Sequence, residues 1–119
     1  MTPIYGFVRL PGVETSELVV ERRRLLAFAQ ENEFRLAELF IVRRPGEGLS
    51  VWREMLARCR VSKIRNIVIP SLEHLHPATE MASDMRDILA KSIQGEVWVL
   101  DEPREMHTEQ TEQPGVMAG

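Results

Sequence analysis

One cysteine, Cys59, stands among 119 residues. A lone thiol cannot close an intramolecular disulfide, so a reducing compartment is expected. Long apolar runs are missing too: none approaches the roughly 18 residues that a membrane-spanning helix needs. The N-terminus has no charged stretch followed by an apolar one, so no secretory signal is expected and the cytoplasm is the predicted location. A basic excess is also lacking. The formal net charge is −3 and the pI about 5.6, which argues against a nucleic-acid binder working alone, because phosphate contacts need clustered Lys and Arg. Finally, no G-x-x-x-x-G-K-[ST] and no G-x-G-x-x-G follows an apolar run, and Gly46-Glu47-Gly48 has neither the length nor the lysine of such a loop. A glycine-rich nucleotide cradle is excluded, and no cofactor is expected.

What is present is an alternating pattern. With 44% hydrophobic residues the chain can bury a real core in one domain. Ile4 to Leu10 is a short apolar run closed by Pro11-Gly12, which reads as a buried strand. From Thr15 or Ser16, either of which can cap a helix, the spacing becomes helical to about Asn32. Leu18, Leu25, Phe28 and Ala29 face inward, Val19, Val20 and Leu26 widen the stripe, and Glu21 to Arg24 lie on the polar face. Arg35 to Val42 is a second strand, and the Arg43-Arg44-Pro45-Gly46-Glu47-Gly48 segment is loop chemistry. Leu49 to Arg60 reads as a helix with Val51 or Trp52, Met55, Leu56 and Cys59 on one side. Ile64 to Ile69 is a third strand, ended by Pro70-Ser71. Ala78 to Ser92 is a third helix with Met81, Met85, Ile88 and Leu89 inward and Pro77 at its first turn. Glu96 to Leu100 is a fourth strand.

The order β-α-β-α-β-α-β predicts an α/β fold in three layers: a mainly parallel four-stranded sheet with helices on both faces. Residues 1–102 form this domain. Residues 103–119, rich in Glu, Gln, Thr, Pro and Gly, are expected to be a disordered acidic tail. In such sheets ligands bind at the carboxyl ends of the strands. Those ends carry Arg9 to Pro11, Arg43-Arg44, Ser71 to His76, and Asp101-Glu102.

Each candidate chemistry has a plainer rival. His74 and His76, with Cys59, Glu73 or His107, could make a metal set only on an extended or loop segment, and a solvated loop is the reading adopted; no metal is expected. Cys59 sits on the apolar side of its helix, where an inert thiol is usual. Ser71 precedes His74 by three residues, but nothing like G-x-S-x-G surrounds it. Arg22, Arg23 and Arg24 read as a solvated face. Arg43 and Arg44 suit anion binding at a strand end, against the rival of a surface loop.

Several short motifs then fall into line. Tyr5-Gly6-Phe7-Val8-Arg9-Leu10-Pro11 stands where a [YG]-x-Y-x-R-V-S strand would, and Glu21 to Ala29 where Q-x-x-x-L-x-x-Y/F-A would. Glu47-Gly48-Leu49 with Met55-Leu56 is similar to R-P-G-L-x-x-L-L, and Ser71-Leu72-Glu73-His74-Leu75-His76-Pro77 to S/K-L-D-R-L-x-R. With Val97 to Leu100 in the right order, residues 3 to 101 resemble the N-terminal catalytic domain of the serine recombinases, the resolvase and invertase family. The resemblance implies a resolvase-like fold and a site in which a serine hydroxyl attacks a DNA phosphodiester while arginines stabilise the phosphoryl charge.

Carried over residue by residue, the site is degenerate. The serine position is Pro11, which has no hydroxyl. Arg9 is kept. The position of the second arginine is Gly46, with Arg43 and Arg44 as alternatives. The aspartate has become Glu73, the paired arginines His74 and Pro77, and the glutamine Glu21. The family's long dimerising helix and helix-turn-helix have no counterpart in the acidic tail. The expectation is a catalytically inactive resolvase-like domain acting as a protein-interaction or regulatory module, self-associating or bound to a protein partner. Two alternatives are an accessory DNA-binding factor related to site-specific recombination, and a small-anion or nucleotide-phosphate binding domain using Arg9, Arg43, Arg44 and His74.

Overall fold

The computed structural model describes residues 1–10, 15–44 and 46–101. In chain order the elements are β1 (Thr2–Arg9), α1 (Thr15–Glu31), β2 (Phe34–Val42), α2 (Gly48–Ser62), β3 (Asn66–Ile69), a 3-10 turn (Leu72–His74), α3 (Thr79–Ile93) and β4 (Glu96–Val99). The strands lie in the order β2-β1-β3-β4 and every pairing is parallel. One core cluster joins α1 to one face of the sheet, and the other joins α2 and α3 to the opposite face. The three-layer α/β architecture expected from the sequence is therefore the one found. Pro11, Pro45 and the segment 102–119, including His107, lie outside the described residues.

β1 is central and covered on both faces, which is why its apolar run is nearly continuous. Ile4 and Val8 pack toward α1, while Tyr5 and Phe7 pack toward α2 and α3. Gly6 lets α1 approach closely: a Cβ there would lie 2.9 Å from Leu39 Cδ1 and 3.0 Å from Leu25 Cδ1. In β2 the register slips by one residue, Ile4 pairing with Leu36 but Tyr5 with Glu38. That slip lets Leu36, Leu39 and Ile41 share the α1 face, with Phe40 and Val42 on the other. Phe28 of α1 and Phe34 join Trp98 of β4 in an aromatic cluster with ring centroids 5.6–6.2 Å apart.

The helices depart from the sequence expectation in detail. In α1, Leu25 and Ala29 are buried, but Val19, Val20 and Leu26 are exposed. Leu18, Leu25, Phe28 and Ala29 already define one face at helical spacing, and the three outer residues point about a quarter-turn or more away from it. In α3 the buried residues are Ala82, Leu89 and Ile93, while Met81 and Ile88 are exposed rather than inward. Pro77 is not in the first turn of α3. Ala78 caps the helix, and the Ala78 N–H donates to His76 Nδ1 at 3.0 Å. α2 buries Met55 and Cys59 as expected.

Between α3 and β4 the chain turns tightly. Gln94 is left-handed (φ 54°), and the Glu96 N–H donates to Arg65 O at 2.9 Å. A Cβ at Gly95 would fall 1.9 Å from that same carbonyl oxygen, so only glycine fits. Among the described residues no helix is long and apolar enough to cross a membrane.

Candidate functional site

Arg9 is the last residue of β1, and its side chain is committed to the chain itself. Its Nε donates to His74 O at 3.2 Å and its Nη2 to Leu75 O at 3.0 Å. The guanidinium also lies against α2: a Cβ at Gly48 would be 3.2 Å from Nη2. Hydrogen bonds from a charged donor are worth about 1.5–3 kcal/mol each. An incoming anion would have to compete with both carbonyls for this group.

His74 is held from the other side. The Arg9 backbone N–H donates to His74 Nδ1 at 2.9 Å, so Nδ1 is an acceptor and the ring's proton sits on Nε2. The residue is 7% exposed, which corrects the expectation of a solvated histidine loop. The 3-10 turn carries it inward under β1, with Leu75 buried beside it. Burial holds its pKa below the ordinary 6.5; Glu21 and Glu73 pull the other way, and Arg24 and Arg9 add to the lowering. The ring is thus neutral where a cationic phosphate ligand would need charge.

A cavity of about 640 Å³ opens between the end of β1, the first turns of α1 and the 3-10 turn. Five of the seven positions singled out by the sequence resemblance meet in its wall: Arg9, Glu21, Glu73, His74 and Pro77. Gly46 does not; it lines a second cavity of about 440 Å³ between α2 and α3, which shares Arg9 with the first. Pro11 lies outside the described residues. Arg43 and Arg44 are exposed and line neither cavity. Their backbone N–H groups instead donate to Glu47 Oε1 at 2.6 and 2.9 Å, which holds that carboxyl below its ordinary pKa. The four residues suggested for anion binding are therefore not brought to one place.

The wall of the larger cavity is acidic. Among its described lining residues, Glu17, Glu21 and Glu73 contribute three carboxylates against Arg9. Arg24 stands nearby, bound to Asp101 at 2.7 Å and to Glu21 at 3.2 Å. The Asp101 bond is the main cause of its raised pKa, with burial opposing. Arg24 is thus a clasp between α1 and the end of β4 rather than part of a purely solvated face. Solvent screens the pair, so it contributes less than about 1 kcal/mol.

The other candidates separate. Ser71 Oγ lies 3.4 Å from Glu73 Oε2, while His74 Nδ1 is taken by Arg9, so no Ser–His dyad forms. Cys59 is buried in α2, and burial pushes its thiol up to about 11, which makes it inert near neutral pH. Among the described residues no three His, Cys, Asp or Glu side chains are grouped to hold a metal ion. The sequence reading missed Glu17 as a wall residue. It stands one helical turn before Glu21, and that i, i+4 spacing was the available signal. The Arg24–Asp101 clasp joins residues 77 positions apart, and no local pattern announces it.

No family model matches the sequence, and no curated protein matches it. Solved structures do match in shape. The C-terminal catalytic domain of ISC1926 TnpA, an IS607-like serine recombinase, superimposes with a TM-score of 0.66 at 10% identity, covering 87% of this chain and 71% of that one. The N-terminal catalytic domain of TP901-1 integrase superimposes with a TM-score of 0.66 at 10% identity, covering 84% of this chain and 78% of that one. The chain therefore has the fold of serine recombinase catalytic domains.

Proposed function

We propose that this chain keeps a resolvase-like fold without the phosphoryl-transfer reaction and serves as a protein-interaction or regulatory module in a recombination-related setting. The observation that carries this reading is the charge of the cavity at the end of β1. Phosphoryl transfer is catalysed by cations and donors preorganised around the phosphoryl oxygens. Here, among the described lining residues, three carboxylates face one arginine that is already bound to two carbonyls, and burial favours the uncharged form of the histidine. The sequence resemblance puts Pro11, which has no hydroxyl, where the serine nucleophile would stand. An exposed apolar row supports the interaction role: Leu49, Met81 and Ile88 are all at least half exposed beside half-buried Trp52 and Met85.

Incubation with supercoiled plasmid tests the inactivity. The expected outcome is neither nicking nor a protease-sensitive DNA adduct; either product overturns the reading. Sedimentation across a concentration series tests self-association. The wild type is expected to show reversible association that Ile88→Glu abolishes, and a monomer at every concentration contradicts that part of the proposal.

A further inference from the structure

The face formed by α2 and α3 carries charge as well as apolar surface, and the two signs are kept apart. Each helix joins one strand of an all-parallel sheet to another, so α2 and α3 run in the same direction on one face of the sheet. The groove between them is lined by Leu49 and Trp52 of α2 and by Met85 and Ile88 of α3. On α2, Arg53 follows Leu49 by four residues and precedes Leu56 by three, which puts it on the outer rim of that groove. On α3, Asp84 follows Met81 by three residues and precedes Ile88 by four, so it stands on the opposite rim, with Asp87 nearly one turn further on. All three are exposed, and their side chains make no hydrogen bond or ion pair among the described residues. Arg53 adjoins Trp52 in sequence and the two aspartates flank Met85, so cation and acids lie at similar heights along the groove, one sign on each rim.

Opposite charges on the two rims of an exposed apolar groove fit a second copy of the same face. With their helices aligned, two copies can meet about a two-fold axis in two ways. With the axis across the helices, α2 lies on α2 and α3 on α3, so Arg53 meets its own counterpart and the aspartates meet theirs. With the axis along the helices, α2 of each copy lies on α3 of the other, and Arg53 meets the aspartates. Like charges opposed across an interface cost affinity, and that selects the second arrangement. We propose that two copies of this chain associate through the α2–α3 face about a two-fold axis parallel to these helices, with Arg53 of each copy set against Asp84 and Asp87 of the other. Leu49, Met81 and Ile88, which are 61%, 51% and 56% exposed in the single chain, are covered in this pair. Apolar burial supplies the attraction, and the charge pairs fix the register. The inference rests on the self-association proposed above and deepens it by naming the face, the symmetry and the pairing.

Sedimentation of the full chain across a concentration series tests it, with R53E, D84K/D87K and their equimolar mixture beside the wild type and I88E. The three charged residues are exposed and unpaired among the described residues, so the melting midpoints of these variants are expected to stay near the wild-type value. Each charge variant alone is expected to associate about tenfold more weakly, because two symmetry-related contacts turn repulsive at once. Net charge does not account for a weaker D84K/D87K, whose formal charge moves closer to zero from −3. The equimolar mixture is expected to recover wild-type affinity as a mixed dimer, since each reversed rim then meets its opposite. Unchanged association in both charge variants, with I88E still monomeric, overturns the charge-paired arrangement and leaves self-association standing. Weakened variants whose mixture stays weak overturn the arrangement as well. A wild type that is monomeric at every concentration overturns both the inference and the self-association beneath it.

Discussion

His74 occupies the position where one backbone N–H, one buried ring and two carboxylates meet. Its pKa is lowered in the folded chain, so between that value and 6.5 the unfolded chain binds more protons. Stability therefore rises with pH through this window and is lost as the pH falls below about 6.5. Protonation would also remove the acceptor for the Arg9 N–H. Thermal melts are expected to show the midpoint falling as the pH drops below 6.5, and H74Q, which keeps an acceptor but cannot titrate, is expected to flatten that slope. An equal slope in the variant would assign the effect elsewhere. From the sequence, His74 was a strand-end residue in a solvated loop. Its burial could not be read there, because it depends on a three-residue 3-10 turn folding under β1, and so short an element leaves no periodicity.

At the scale of elements, the strands were more legible than the helix faces. A parallel strand buried on both sides is apolar at nearly every position, and that signal is local. A helix stripe is local as well, but its width is decided by what packs against it. Val19, Val20, Leu26, Met81 and Ile88 look like core in the sequence and are exposed in the fold. The one-residue slip in β2 at Ala37 was likewise invisible, since both registers keep apolar residues facing a helix. The α3–β4 turn gives a sharp prediction. Gly95→Ala would drive a Cβ to 1.9 Å from the Arg65 carbonyl oxygen. Backbone, not a flexible side chain, is in the way, so a loss of about 3 kcal/mol or more is expected in urea unfolding. A loss below about 1 kcal/mol would mean that the turn relaxes freely.

Over the whole molecule, the alternation of strands and helices carried the fold, and the same three-layer architecture appears in the recombinase catalytic domains. The candidate site was legible in part. Arg9, Glu21, Glu73, His74 and Pro77, drawn from three separate segments, do converge on one cavity. The fate of Arg43, Arg44 and Gly46 was not legible, because the loop that holds them is organised by Glu47. In the reading proposed above, the cavity's charge, as well as the missing hydroxyl, works against phosphoryl transfer. The most direct test is the Pro11→Ser variant, which returns a hydroxyl to the chain and changes no charge. After incubation with supercoiled plasmid, intact-mass measurement of the protein should find no covalent DNA adduct and gels should find no nicked circles. A protein–DNA adduct mapped to position 11 would show that the acidic wall does not prevent the reaction, and would contradict the account.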